Sequence, residues 1–231
     1  MKIGIVGAGQ IGSTLTRRFT ATGHQVRVAN SRGPQTLTEL AKETGAQAVT
    51  AQDAVRDVDL IVITIPESKI PALGKTLLQS VPKNVVVVDT GNYYPRERDG
   101  RIAAIESGTP ESVWVSEHLG RPVIKAFNNI YAKHLLENGK PAGTPGRIAL
   151  PVSGDDAAAK QTVMTLINEI GFDTVDDGPL AESWRQQPGT PVYCADLDVA
   201  GVRKALSEAS PKRTPQWTAT DNSPGDFNAP R

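Results

Sequence analysis

The 231-residue sequence predicts an α/β fold: a doubly wound parallel sheet followed by a short C-terminal helical extension and an irregular tail. Three observations carry that prediction. Short, continuous apolar runs recur along the chain and read as strands buried on both faces, the pattern of a parallel sheet. Between them lie segments with apolar residues four apart, the period of a helix face. The first run opens directly into Gly7-Ala8-Gly9-Gln10-Ile11-Gly12, a complete G-x-G-x-x-G between strand and helix, which makes the fold Rossmann-type.

Taken in order, Lys2 to Val6 is the first strand, and Ile11, Leu15 and Phe19 share one face of the helix after it. Gly23 sits where that helix should close in a left-handed cap. Gln25 to Ala29 is the second strand and delivers Asn30-Ser31-Arg32. Pro34 suits the first turn of a helix through Leu37 and Leu40. Ala46 to Thr50 reads as a short strand and Asp53-Ala54-Val55 as one helical turn. Leu60 to Ile65 is an apolar strand ended by Pro66, before a helix carrying Leu73, Leu77 and Leu78. Further strands are expected at Val85 to Asp89, Val123 to Phe127 and Arg147 to Val152. A helix with Val163, Leu166, Ile167 and Ile170 follows, stopped by Gly171. Strands separated by helices of this length indicate a parallel sheet. The division expected is 1–180 for the Rossmann domain, 181–209 for the extension and 210–231 for the tail, where Trp217 and Phe227 could clamp onto the body or a second subunit.

Composition narrows the function. Lys+Arg and Asp+Glu are equal at 25 each, which gives no charge basis for a nucleic-acid or membrane-surface partner. No apolar run reaches the ~18 residues of a membrane span. Met1 leads into a core strand rather than a signal peptide, so a cytoplasmic protein is expected, with a homodimer as its expected assembly. Cys194 is the single cysteine and cannot form an internal disulfide. His24, His118 and His134 show no metal-ligand spacing, and no metal is expected.

In a doubly wound sheet, ligands bind beyond the carboxyl ends of the strands. Gly7 permits the tight turn, Gly9 lets backbone approach a pyrophosphate, and Gly12 lets helix and strand pack closely. The helix N-terminus, with its unpaired N–H groups and positive dipole end, favours the anion. At the end of the second strand an NAD site usually carries Asp or Glu. Here the residues are neutral Asn30, the hydroxyl of Ser31 and the guanidinium of Arg32, a set that accepts a 2′-phosphate and so points to NADP. The same rule nominates Thr64-Ile65-Pro66, Thr90-Gly91-Asn92, and Asn128 with Asn129. A carboxamide there binds the nicotinamide amide or a substrate carbonyl, or simply forms a turn.

These residues resemble a known family, the NADP oxidoreductases that depend on coenzyme F(420), together with the related cytosolic reductase domains of six-transmembrane ferric reductases. The likeness covers most of residues 1–195. It rests on Gly7 to Gly12, Asn30-Ser31-Arg32, Thr64-Ile65-Pro66, Lys125 to Ile130, Ser153-Gly154-Asp155-Asp156, and Gly171-Phe172 leading to Asp177-Gly178-Pro179-Leu180. The resemblance implies NADP(H) lying across the strand mouths and passing hydride to a planar acceptor, a deazaflavin F(420) or flavin. It further implies that Gly7, Ala8, Gly9, Gln10 and Ile11 cradle the dinucleotide, and that Ser31 and Arg32 hold the 2′-phosphate. Ile65 would then pack beside the cofactor, while Ala126, Phe127 and Asn128 would border the nicotinamide.

Two stretches depart from that pattern, Asp89 to Pro95 and Trp184 to Tyr193. They lie where the acceptor should sit and nominate Tyr93 and Trp184 as pocket residues, beside Asn128 at the strand mouth and His134 on the helix just past it. No catalytic acid or base stands out, and hydride transfer between planar rings depends more on positioning than on one. Three functions fit: an NADPH-dependent reductase of a planar small-molecule acceptor, a small-substrate dehydrogenase or imine reductase, and a non-catalytic NADP-binding sensor.

Overall fold

In the computed structural model, which describes residues 1–219 (the backbone alone at Lys75), the chain opens with β1 (Lys2–Val6), α1 (Gln10–Ala21) and β2 (Gln25–Ala29). A 3-10 turn at Pro34–Leu37 leads into α2 (Thr38–Thr44), β3 (Gln47–Ala48), α3 (Ala51–Ala54) and β4 (Leu60–Ile63). Next come α4 (Ile70–Leu78), β5 (Val86–Asp89), α5 (Ala103–Glu106), α6 (Glu111–Leu119) and β6 (Ile124–Lys125). The chain continues through α7 (Ala132–Glu137), β7 (Ala149–Val152), α8 (Ala157–Glu169), β8 (Asp173–Asp176) and α9 (Val199–Ser207). Gly23 takes up positive φ (+86°) after α1, as its place in the sequence predicts.

Six strands pair in parallel in the order β3-β2-β1-β4-β5-β6, the doubly wound arrangement. Their register sets up the site. Val6 pairs with Ala29 and Ile63, Ile63 with Asp89, and Asp89 with Lys125. One row therefore ends five strands together, and the next residues (Gly7, Asn30, Thr64, Thr90 and Ala126) form a continuous rim. Alternate residues face opposite ways. Ile3, Ile5, Leu60 and Val62 join Leu15, Phe19 and Leu166 on one face, whereas Val6, Ile61 and Ile63 join Ile70, Trp114 and Val115 on the other. With a helix layer on each side, both faces are buried, which is why the strands read as unbroken apolar runs.

Two expectations need correction. The strand expected at Arg147 to Val152 is not a seventh strand of this sheet. Its core, β7, pairs in parallel with β8 in a separate two-stranded sheet, joined to β6 by a single antiparallel bridge between Lys125 and Ser153. The strand expected at Val123 to Phe127 is only two residues long, because Phe127 turns the chain out of the sheet with φ +65°. Residues 181–209 hold most of a 3-10 run (Leu180–Gln186) and α9, which packs on β7 and β8. Of the expected irregular tail, Pro215–Trp217 forms a 3-10 turn and Trp217 lies against the body, while Phe227 falls outside the described residues. No helix among the described residues is long and apolar enough to cross a membrane.

Candidate functional site

A cleft of about 590 Å³ runs along the rim above β1, β2 and β4. Gly7, Ala8 and Gly9 line its floor, Asn30, Ser31 and Arg32 one end, and Thr64, Ile65 and Pro66 the facing wall. The glycines do separable work. Gly7 has φ +113°, and a Cβ there would sit 2.1 Å from the Thr64 carbonyl oxygen; one on Gly12 would sit 2.0 Å from that of Gly7. Both are fixed by the fold. Gly9 is different: its φ is −72° and a Cβ would meet nothing within 4 Å. The space beside it is open cleft, and α1 begins there with no side-chain cap and no acidic residue in its first turn. Unsatisfied N–H groups and the dipole's positive end thus face the cleft, as an anion requires.

The loop after β2 is built to present two side chains. Asn30 Oδ1 accepts from the Arg32 N–H (3.0 Å) and its Nδ2 donates to Thr36 Oγ1 (2.9 Å), so its carboxamide is engaged in shaping the turn. Gln35 Nε2 donates to the Arg32 carbonyl at 2.8 Å. Ser31 and Arg32 are left exposed at the cleft's end. Sequence reasoning missed part of the lining. Lys69, exposed at the end of the 3-10 turn Glu67–Lys69, adds a second cation, and Ala51, Ala72 and Leu73 add an apolar slot next to it. The only sequence signal for Lys69, Ala72 and Leu73 was their place within two turns of Pro66, and Ala51 had none.

The β5 and β6 mouths are arranged differently from expectation. Gln10 is exposed at the start of α1 and Ile11 packs on the core; neither lines the cleft. Ala126 and Phe127 are buried, and the Phe127 ring packs edge-on against Phe19 at 6.3 Å, so neither offers a side chain to a ligand. Asn92 and Asn128 are paired: Asn128 Nδ2 donates to Asn92 Oδ1 (3.1 Å) and to the Gln186 carbonyl (2.7 Å), and Asn92 Nδ2 to the Asn128 carbonyl (2.8 Å). Asn92 Nδ2 also lies 3.2 Å from the Tyr94 hydroxyl, which is hydrogen-bonded to that of Tyr193. Burial raises the pKa of both phenols.

Behind this rim is a buried charged group the sequence did not disclose. Lys125 Nζ donates to Asp89 Oδ2 (3.2 Å) and the Gly91 carbonyl (2.6 Å), and Ser112 Oγ donates to Asp89 Oδ2 (2.6 Å). Burial opposes the Lys125 charge, but Asp89, Glu111 and Glu67 outweigh it and raise its pKa. Gly91 packs here, against the fully buried Glu67, and not in the cleft. Burial, and then the Asp89 charge, holds Glu67 well above the usual carboxylate range.

Three of the nominated acceptor residues move. Tyr93 is fully buried in the core between sheet and α6, its hydroxyl accepting from the Ile102 N–H at 3.0 Å. Beyond the end of β5 the chain turns Tyr94, rather than Tyr93, toward the rim. Trp184 lines a separate hollow of about 330 Å³ with Pro110 and Arg213. His134 pairs with Asp196 at 2.5 Å on the surface of α7. Asn128 alone of the four sits at the strand mouths.

Comparison with known proteins agrees with this geometry. Residues 2–93 match the family model described as NADP oxidoreductase, coenzyme F(420)-dependent. A hypothetical protein from Sinorhizobium meliloti, SMa0349, has a crystal structure that superposes with TM-score 0.72 at 32% identity, covering 85% of this chain and 95% of that one. YjhV of Escherichia coli K12 is 53% identical over 69 residues, 30% of this chain and 50% of YjhV. The metalloreductase STEAP3 of Rattus norvegicus is 28% identical over 182 residues, 79% of this chain and 35% of STEAP3. The chain therefore spans half or less of the length of these two curated relatives. The glycine turn, the doubly wound sheet and these matches make the chain a relative of SMa0349 over most of its length, and residues 2–93 carry the pattern of the coenzyme F(420)-dependent NADP oxidoreductases.

Proposed function

We propose that the protein is an oxidoreductase that binds NADP(H) in the cleft above β1, β2 and β4 and exchanges hydride with a planar redox acceptor of the deazaflavin or flavin class. One observation carries the reading. The open face of Gly9, at the uncapped start of α1, shares a single cleft with Ser31 and Arg32 at an end that lacks the acidic residue of an NAD site.

Each part of the cleft has a task in this account. The N–H groups at the start of α1 hold the pyrophosphate. Ser31 and Arg32 grip the 2′-phosphate, a dianion near neutral pH, and Lys69 on the facing wall balances the charge that one guanidinium leaves over. Ala51, Ala72 and Leu73 cover the adenine. Ile65 and Pro66 form the wall along which the molecule runs toward Asn92 and Asn128. When bound, NADPH supplies the hydride; the protein positions it and excludes water.

The test is NADPH oxidation by the purified full chain with F(420) and with FMN, followed by loss of the reduced-nicotinamide absorbance. Turnover with a planar acceptor is expected. Turnover only with imines or hydroxy acids would make it a small-substrate dehydrogenase, and tight NADPH binding without any turnover would make it a sensor.

A further inference from the structure

The tail segment 210–219 contributes more ordered contacts than a loose end should, and they gather at one place. Trp217 lies over both members of the hydroxyl pair at the β5 mouth, its ring centroid 5.8 Å from that of Tyr94 and 6.0 Å from that of Tyr193. Gly189 is fitted to the indole: it has φ +89°, and a Cβ there would come within 2.5 Å of Trp217 Cδ1. The anchors around it run through side chains. Arg213 donates to Gln187 Oε1 at 2.8 Å and pairs with Glu111, Arg96 donates to the Gln216 carbonyl at 2.8 Å, and Glu106 accepts from the Ala219 N–H at 2.8 Å. A segment fixed through side chains opens at lower free-energy cost than one held in a sheet ladder.

Close to the Tyr94 hydroxyl, which Asn92 links to Asn128, is a set of buried acceptors without donors. Asn128 Oδ1, Asn129 Oδ1 and Gln186 Oε1 are inaccessible and lack a hydrogen-bond partner among the described residues. Buried carboxamide oxygens are ordinarily satisfied, and several left open at a strand mouth match a ligand edge bearing N–H or O–H groups. The strap and this floor share one backing, because Gln186 holds Asn128 through its carbonyl while the next residue, Gln187, takes Arg213.

We propose that residues 210–219 form a strap over the acceptor end of the site, and that Trp217 is the specificity-determining residue through which it holds a planar heterocycle with hydrogen-bond donors on its edge. The proposal rests on the reading of the cleft as an NADP(H) site for where the acceptor lies. In it the indole packs on the heterocycle's face, Tyr94 and Tyr193 border it, and the open carboxamide oxygens receive its edge.

The experiment titrates FMN into full-length protein, with and without saturating NADP+, reading flavin and tryptophan fluorescence for wild type, Trp217→Ala and Trp217→Phe. Trp217→Ala is expected to weaken FMN binding roughly tenfold, the scale of one aromatic contact, and Trp217→Phe to stay within about threefold of wild type. NADP+ affinity and Tm should not move in either variant. Unchanged FMN affinity in Trp217→Ala at wild-type Tm overturns the proposal, as does a parallel loss of NADP+ affinity, which would make Trp217 structural. Wild type that binds NADP+ and no FMN removes the strap's role and leaves the cleft reading standing. Failure to bind NADP+ removes the cleft reading, and the titration without NADP+ still decides the role of Trp217.

Discussion

The Gly9→Val substitution is expected to leave the fold intact and to abolish dinucleotide binding. Gly9 has φ −72° and ψ −163°, extended backbone that valine adopts without strain. Nothing lies within 4 Å of the added Cβ, so no neighbour has to shift. The cost to the fold is confined to the N-cap of α1, where valine is poorer than glycine by about 1 kcal/mol. In a chain of this size that lowers Tm by about 2–4 °C. The isopropyl group, however, fills the open space beside the uncapped N–H groups, where the pyrophosphate must approach. Displacing it removes the anion's contact with the helix start, and a loss of at least roughly a hundredfold, about 2.8 kcal/mol, follows. Thermal melts and a fluorescence titration with NADPH on the same preparation measure both effects. A folded Gly9→Val protein with wild-type NADPH affinity would refute the placement of the ligand.

Other perturbations probe the surrounding structure. Tyr93→Ala should cost roughly 3–5 kcal/mol of stability, since it empties a fully buried site and orphans the Ile102 N–H, and all activities should fall together; wild-type Tm would return Tyr93 to the pocket. Trp184→Ala should leave NADPH affinity unchanged, because its hollow shares no residue with the cleft; a parallel loss of affinity would contradict that separation. Burial pushes the Asp177 carboxyl up to about 7 from 3.8, against the Ser153 hydrogen bond that favours its charge. The native state then holds a proton that the unfolded chain releases, so this contribution is complete below about pH 4 and is lost as pH rises to about 7. The slope is at most about 1.4 kcal/mol per pH unit, and Asp177→Asn should remove it in denaturant titrations across that range.

How much of this was legible in the sequence depended on how local the cause is. The strand, glycine turn and helix at residues 2–21 follow from neighbours in the chain, and so does the loop from Asn30 to Arg32, whose Asx turn is made within six residues. The β7–β8 unit was not legible, because Asp173–Asp176 is polar at both ends with only Val175 fully buried. Tyr93 was misplaced since the orientation of a side chain past a strand end depends on the turn that follows, here closed by Asp99 accepting from the Tyr94 N–H at 2.8 Å. Lys125 and Asp89 sit inside apolar runs and form a buried pair only once β5 and β6 are adjacent. Trp217 finds Tyr94 and Tyr193 from a segment whose composition reads as irregular.

Calorimetric Kd values for NADPH and NADH on wild type and Arg32→Ala decide whether the cleft selects a 2′-phosphorylated dinucleotide. Wild type should prefer NADPH, and Arg32→Ala should lose about 1.5–3 kcal/mol for NADPH, roughly ten- to over a hundredfold, with NADH almost unchanged. Equal wild-type affinities, or an equal loss for both dinucleotides in the variant, would contradict the account.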